Sequence, residues 1–75
     1  MKWEEYDASS SLVPLNAIEG GYSELFHEKL YIGRIQHYED TLVGSVHKRK
    51  RTCTVAWEGQ VLEFRGNFQI LVAAG

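Results

Sequence analysis

The sequence predicts an all-β domain of short antiparallel strands, on three observations. Nine of the 75 residues are aromatic, which favours pleated, half-buried surfaces. The stretch Thr52-Cys53-Thr54-Val55-Ala56-Trp57 alternates, with Cys53, Val55 and Trp57 on a core face and Thr52, Thr54 and Ala56 on the other. Helical periodicity is poor along the whole chain; only Ser23 to Lys29 has the makings of a single turn.

Each element follows from local composition. A first strand is expected around Trp3–Tyr6, and Ser9-Ser10-Ser11 reads as a short linker. Gly20-Gly21 favours a loop. Leu30-Tyr31-Ile32-Gly33-Arg34-Ile35 is a strand, separated by Glu39-Asp40 from a second running Thr41 to His47. Lys48-Arg49-Lys50-Arg51 forms the tip that joins this strand to Thr52. Glu58-Gly59 turns the next hairpin toward Gln60-Val61-Leu62-Glu63-Phe64, its Gly supplying a positive φ. Phe68-Gln69-Ile70-Leu71-Val72 closes the chain after Gly66-Asn67. Strands this short leave open edges, which invite pairing with a second chain.

Composition narrows the function. Residues 1–75 make one domain, since so short a chain buries only about 60% of its unfolded surface. One Cys excludes an internal disulfide framework and a four-thiolate zinc site. No apolar run approaches the roughly 20 residues of a membrane-spanning helix, and the N-terminus lacks the apolar core of a signal peptide; a soluble, cytoplasmic protein is expected. The net charge of −2 hides an asymmetry. Four of the eight basic residues are Lys48 to Arg51; outside them four basic residues stand against ten acidic ones, near −6. This balance argues against a nucleic-acid partner.

Chemical motifs are sparse. His27, His37 and His47 lie ten residues apart, without the closer pair usual at zinc sites, so no metal is expected. Cys53 shares its face with Val55 and Trp57, which makes it a small core residue rather than a nucleophile. Gly20-Gly21 lacks the Lys-Ser or Lys-Thr of a phosphate loop, and no cofactor is predicted. Trp3, Tyr22, Tyr31, Tyr38 and Trp57 have faces that stack on sugar rings, although in so small a domain most serve the core. Lys48, Arg49, Lys50 and Arg51 are a candidate anion-binding patch, with a solvated tip or an edge-protecting device as the other readings.

The order of the turn motifs is more specific. Pro14-Leu15-Asn16-Ala17-Ile18-Glu19-Gly20-Gly21 followed by Leu30-Tyr31-Ile32-Gly33-Arg34 resembles the DM-nine repeat of animal proteins. Val43-Gly44-Ser45-Val46, Trp57-Glu58-Gly59 and Phe68-Gln69-Ile70-Leu71 are similar to its later, more degenerate elements. The resemblance runs from Trp3 to Leu71. Local chemistry accords with it: Asn16 is suited to a local side-chain turn, Gly20 and Gly21 to a backbone crossing, and Gly33 and Arg34 to close approach and cross-strand bonding.

The resemblance implies an all-β fold, one repeat of a strand-swapped two-repeat β-sandwich-like arrangement, and a non-enzymatic lectin-like module for mannose-type glycans acting as a homodimer or higher closed oligomer. Some arthropod proteins with this repeat have been labelled methyltransferases, but nothing here resembles a methyl-transfer site. In the family an Asp after the Gly-rich turn and a Lys after Pro-Gly hold the sugar; the matching positions are Ser23 and Ser45. Glu24 is the candidate stand-in for the carboxylate, His47 or Lys48 for the ammonium, and Tyr22 the aromatic platform. Ser45, His47 and Arg49 share a face by alternation. The competing reading is a structural or protein–protein module without a sugar site, with anion binding at the basic tip.

Overall fold

A computed structural model describes residues 1–6 and 13–74, and all its regular elements are strands. They are β1 (Lys2–Glu5), β2 (Glu19–Ser23), β3 (Glu28–His37), β4 (Asp40–His47), β5 (Thr52–Trp57), β6 (Gln60–Phe64) and β7 (Gln69–Val72). All belong to one antiparallel sheet in the order β1-β7-β3-β4-β5-β6, with β2 paired to β3 off this path.

The ten-residue β3 organises the sheet. β4 pairs with it from Leu30 to His37 on one edge. On the other edge β2 pairs with residues 28–31 and β7 with Gly33 and Arg34. Ile18 links β7 to β3, donating its N–H to Leu71 O at 2.9 Å and accepting from Ile32 N at 3.3 Å. The segment before it is pinned to the end of β7: Ala73 N donates to Asn16 O at 2.8 Å and Asn16 Nδ2 to Ala73 O at 2.9 Å. Asn16 therefore does not close the local side-chain turn expected of it; its amide spans 57 residues of sequence.

Register partners share a face, so the ladders sort the side chains into two sets. Ile35, Val46, Cys53, Val55, Ile70 and Val72 lie on one face and, with Phe68 and Tyr6, form the buried core. Tyr6 and Phe68 stack with ring centroids 4.7 Å apart. Gly33 and Gly44 face each other across β3 and β4 on this side. A Cβ on Gly33 would strike Val46 Cγ2 and stand 3.0 Å from Cys53 Sγ. Missing side chains there let the neighbouring strands fold over the middle of the sheet.

Several expectations are corrected. Gly20-Gly21 is not a loop but the centre of β2, whereas the turn expected within Ser23 to Lys29 is present at 24–27, between the end of β2 at Ser23 and the start of β3 at Glu28. Composition hid β2 because Glu19-Gly20-Gly21-Tyr22-Ser23 has low strand propensity; its pairing comes from β3, with a register shift between Glu19 and Gly21. A Cβ at Gly20 would approach Ile32 Cγ1 to 2.6 Å, so the glycine permits close approach from within a strand. The turn before β4 is Tyr38-Glu39 rather than Glu39-Asp40, because Tyr38 takes the left-handed conformation (φ 56°) and Asp40 pairs with His37. Thr52, assigned by alternation to the outer set, is fully buried. The final strand starts at Gln69, one residue after Phe68. The Ser9-Ser10-Ser11 linker lies outside the described residues.

Candidate functional site

Two turns stand side by side at one end of the sheet. The first, residues 24–27 between β2 and β3, is closed where Phe26 N donates to Ser23 Oγ at 3.3 Å, and His27 leaves it in the left-handed region (φ 52°). The second, residues 48–51 between β4 and β5, is closed where Arg51 N donates to His47 O at 2.8 Å, with Arg51 left-handed (φ 59°). Few residues but Gly enter this region readily, so both turns hold a fixed and slightly costly shape. Lys50 Nζ sits 4.8 Å from the Phe26 ring centroid and links them by a cation–π contact.

Between the turns opens a cavity of about 520 Å³ lined by Phe26, His27, Glu28, Lys48, Arg49 and Arg51. Lys48, Arg49, Lys50 and Arg51 are all exposed. Among the described residues none of these four cations has a carboxylate within ion-pair distance; the recorded pairs are Lys2–Glu4, Lys29–Glu19 and His47–Glu28.

Beside the cavity the sheet presents a polar row on the face opposite the core. Ser23 is the register partner of Glu28, and His47 is the partner of Thr52. Glu28 and His47 meet diagonally across β3 and β4, with Oε1 and Nδ1 3.9 Å apart and both side chains 16% exposed. Glu28 Oε1, His47 Nδ1 and Thr52 Oγ1 are buried without a hydrogen-bond partner in the protein. Such atoms are costly. Three of them in adjacent positions make a sheltered polar cluster beneath the turns, of the kind that ordered water satisfies.

The sequence-derived candidates divide around this row. Ser23 and His47 belong to it. Ser45 lies on the same face, paired with Ile32 and Thr54. Glu24 is exposed in the first turn. Tyr22 pairs with Lys29 and so points to the other face from Ser23, 58% exposed. Glu28, Thr52 and Phe26 were not among the candidates. Glu28 is one of ten acids and only its placement opposite Ser23 and beside His47 distinguishes it.

A second crevice, of about 310 Å³, is lined by Glu5, Arg34, Ile35, Gln36, Thr41, Asn67 and Gln69. Here Arg34 Nε donates to Gln69 Oε1 at 2.6 Å, Gln69 Nε2 donates to Glu5 Oε1 at 2.9 Å, and the Arg34 guanidinium lies 4.5 Å from the Trp3 ring centroid. These groups satisfy one another and tie β1, β7 and β3 together. His37 packs edge-on against Trp57 at 4.6 Å, apart from His27 in the first turn and His47 at the end of β4. Among the described residues no group of three or more His, Cys, Asp or Glu is arranged to hold a metal ion. No helix of the described residues is long and apolar enough to cross a membrane.

The chain matches the family model of the DM9 repeat over residues 1–73. No curated protein and no solved structure matches it.

Proposed function

The chain belongs to the DM9 repeat family, and from that membership we propose that it is a non-enzymatic glycan-binding module whose sugar sits between the two turns, against Glu28. The observation that carries this reading is the cavity between the turns, where the Glu28 carboxylate and the Phe26 ring line one space. A carboxylate accepts two hydroxyl donors at once, as vicinal sugar hydroxyls offer them. Phe26 gives the apolar wall that a sugar C–H face needs. Relative to the family pattern, where the acidic group follows the Gly-rich turn, the carboxylate is supplied five residues later, at Glu28 in place of Ser23, and His47 lies on the strand that carries Ser45.

The module acts as a homo-oligomer. Its support is the open sheet: among the described residues β6 pairs with β5 alone and β1 with β7 alone, and Val61 on β6 is 74% exposed. Unpaired edges with apolar side chains suit a second copy.

A glycan array followed by calorimetry with mannose tests the reading. Binding that Glu28→Gln weakens at least tenfold supports it. An array without signal, together with an intact oligomer in sedimentation, favours the second reading, a protein–protein module; serines at the two sugar-holding positions are the observation in its favour.

A further inference from the structure

The basic tip is not absorbed by recognition of a neutral sugar. Three of its side chains, Lys48, Arg49 and Arg51, line the same cavity as Glu28, whereas Lys50 is engaged with the Phe26 ring. We infer that the cavity takes a hydroxylated ring carrying a single phosphate or sulfate monoester, with the ester oxyanion on Lys48, Arg49 and Arg51 and a ring hydroxyl on Glu28. The inference rests on the glycan reading and names the chemical class of its ligand.

Charge and geometry select this class. The three cations have no carboxylate partner among the described residues, so an incoming oxyanion displaces no existing ion pair. Guanidinium and ammonium donors make short, charge-assisted bonds to ester oxygens, and a guanidinium makes them in pairs. His27 adds an imidazole at the rim. Glu28 disfavours a second anion on its side of the cavity. As a carboxylate lining the cavity it accepts hydrogen bonds, which a ring hydroxyl donates and a phosphate dianion does not. One wall therefore asks for an anion and the other for hydroxyls, within one cavity.

Long polyanions and anionic membranes fit poorly. Outside the tip the chain is near −6, and Glu24 is exposed in the turn that forms the other side of the mouth. A strand of sulfates or a lipid surface extending beyond the tip meets a chain of net negative charge, whose repulsion is felt over about 8 Å, the screening distance at physiological salt. A compact ligand with one charged group avoids them.

The test is calorimetry on the full chain with mannose, mannose 6-phosphate and inorganic phosphate, each at low and at about half-molar salt, joined by co-sedimentation with phosphatidylcholine vesicles containing phosphatidylinositol phosphate. Mannose 6-phosphate is expected to bind at least about tenfold tighter than mannose at low salt, the advantage shrinking as salt rises. Arg49→Gln with Arg51→Asn, the Asn chosen for the left-handed position, is expected to erase that advantage while mannose binding persists. Glu28→Gln is expected to weaken both sugars and leave inorganic phosphate unaffected.

Equal affinity for mannose and mannose 6-phosphate overturns the ester site and leaves the glycan reading standing. Inorganic phosphate binding as tightly as the sugar phosphate overturns the ring. Vesicle retention without binding of the free sugar phosphate assigns the tip to a lipid headgroup and overturns the proposal. Absence of binding by all three soluble probes overturns both readings. Circular dichroism of each variant separates loss of binding from loss of fold.

Discussion

Glu28 and His47 approach to 3.9 Å across two neighbouring strands, each 16% exposed, and neither Glu28 Oε1 nor His47 Nδ1 has a hydrogen-bond partner. The contact is too long for a good hydrogen bond and too sheltered for full hydration. Its two groups are therefore held near each other by the β3–β4 ladder rather than by their own attraction. Such an arrangement stabilises little by itself.

Removing one member isolates the other. His47→Leu is expected to destabilise the fold by about 1–3 kcal/mol, the usual penalty for a buried polar group left without compensation. Glu28→Leu together with His47→Leu should cost less than the sum of the single changes, because no isolated charge remains. Urea denaturation of the wild type, both single variants and the double variant measures the coupling; strict additivity would show that the two groups do not interact.

The opposed glycines on the core face make a second prediction. A Cβ on Gly44 would strike the Thr54 carbonyl oxygen and stand 2.6 Å from Val55 Cγ1; a backbone atom cannot step aside as a flexible side chain does. Gly44→Ala should therefore cost more than Gly33→Ala, whose nearest obstacle is the Val46 side chain. Both should exceed the roughly 1 kcal/mol of an ordinary substitution. Gly66→Ala, with no atom within 4 Å of its new Cβ, is the neutral control in thermal unfolding.

Arg34 joins three strands through two kinds of contact, the bond from Nε to Gln69 and the stack on Trp3. Lysine keeps the charge but loses the planar fork. Arg34→Lys is expected to lower stability by about 1–2 kcal/mol and to change the Trp3 environment. Tryptophan fluorescence in a chain whose other tryptophan, Trp57, is replaced by Phe reads this directly; an unchanged spectrum and midpoint would remove the role assigned to Arg34.

Burial pushes the Cys53 thiol up from 9.0 to about 11. The folded chain thus keeps its proton where the unfolded chain releases it. The stability associated with Cys53 is complete below pH 9.0 and is lost as pH rises toward about 11. Cys53→Ala, less stable at neutral pH because of the space it leaves, should close part of its gap to the wild type across that window. At pH 8 the native thiol should resist alkylation that the urea-unfolded chain undergoes; rapid native-state alkylation would contradict the burial.

Features that depend on neighbours along the chain were legible from residue order. The alternation of Cys53, Val55 and Trp57 and the turn at Glu58-Gly59, with φ values of 48° and 75°, are local, and so is the exposed basic tip, since four adjacent like charges have nowhere to go but solvent. Motif order from Pro14 to Arg34 was enough for the family. Tertiary structure decided the rest, because pairing partners lie far apart in sequence. β2 exists because β3 offers an edge to a glycine-rich segment with no strand propensity of its own. Asn16 finds its acceptor at Ala73, beyond the reach of any local turn rule. Thr52 is buried on the face that alternation reserves for solvent, next to His47. Glu28 is one acid among ten in the sequence; the registers of β2, β3 and β4 bring it beside His47 and into the cavity, and contact across strands is information that residue spacing does not carry.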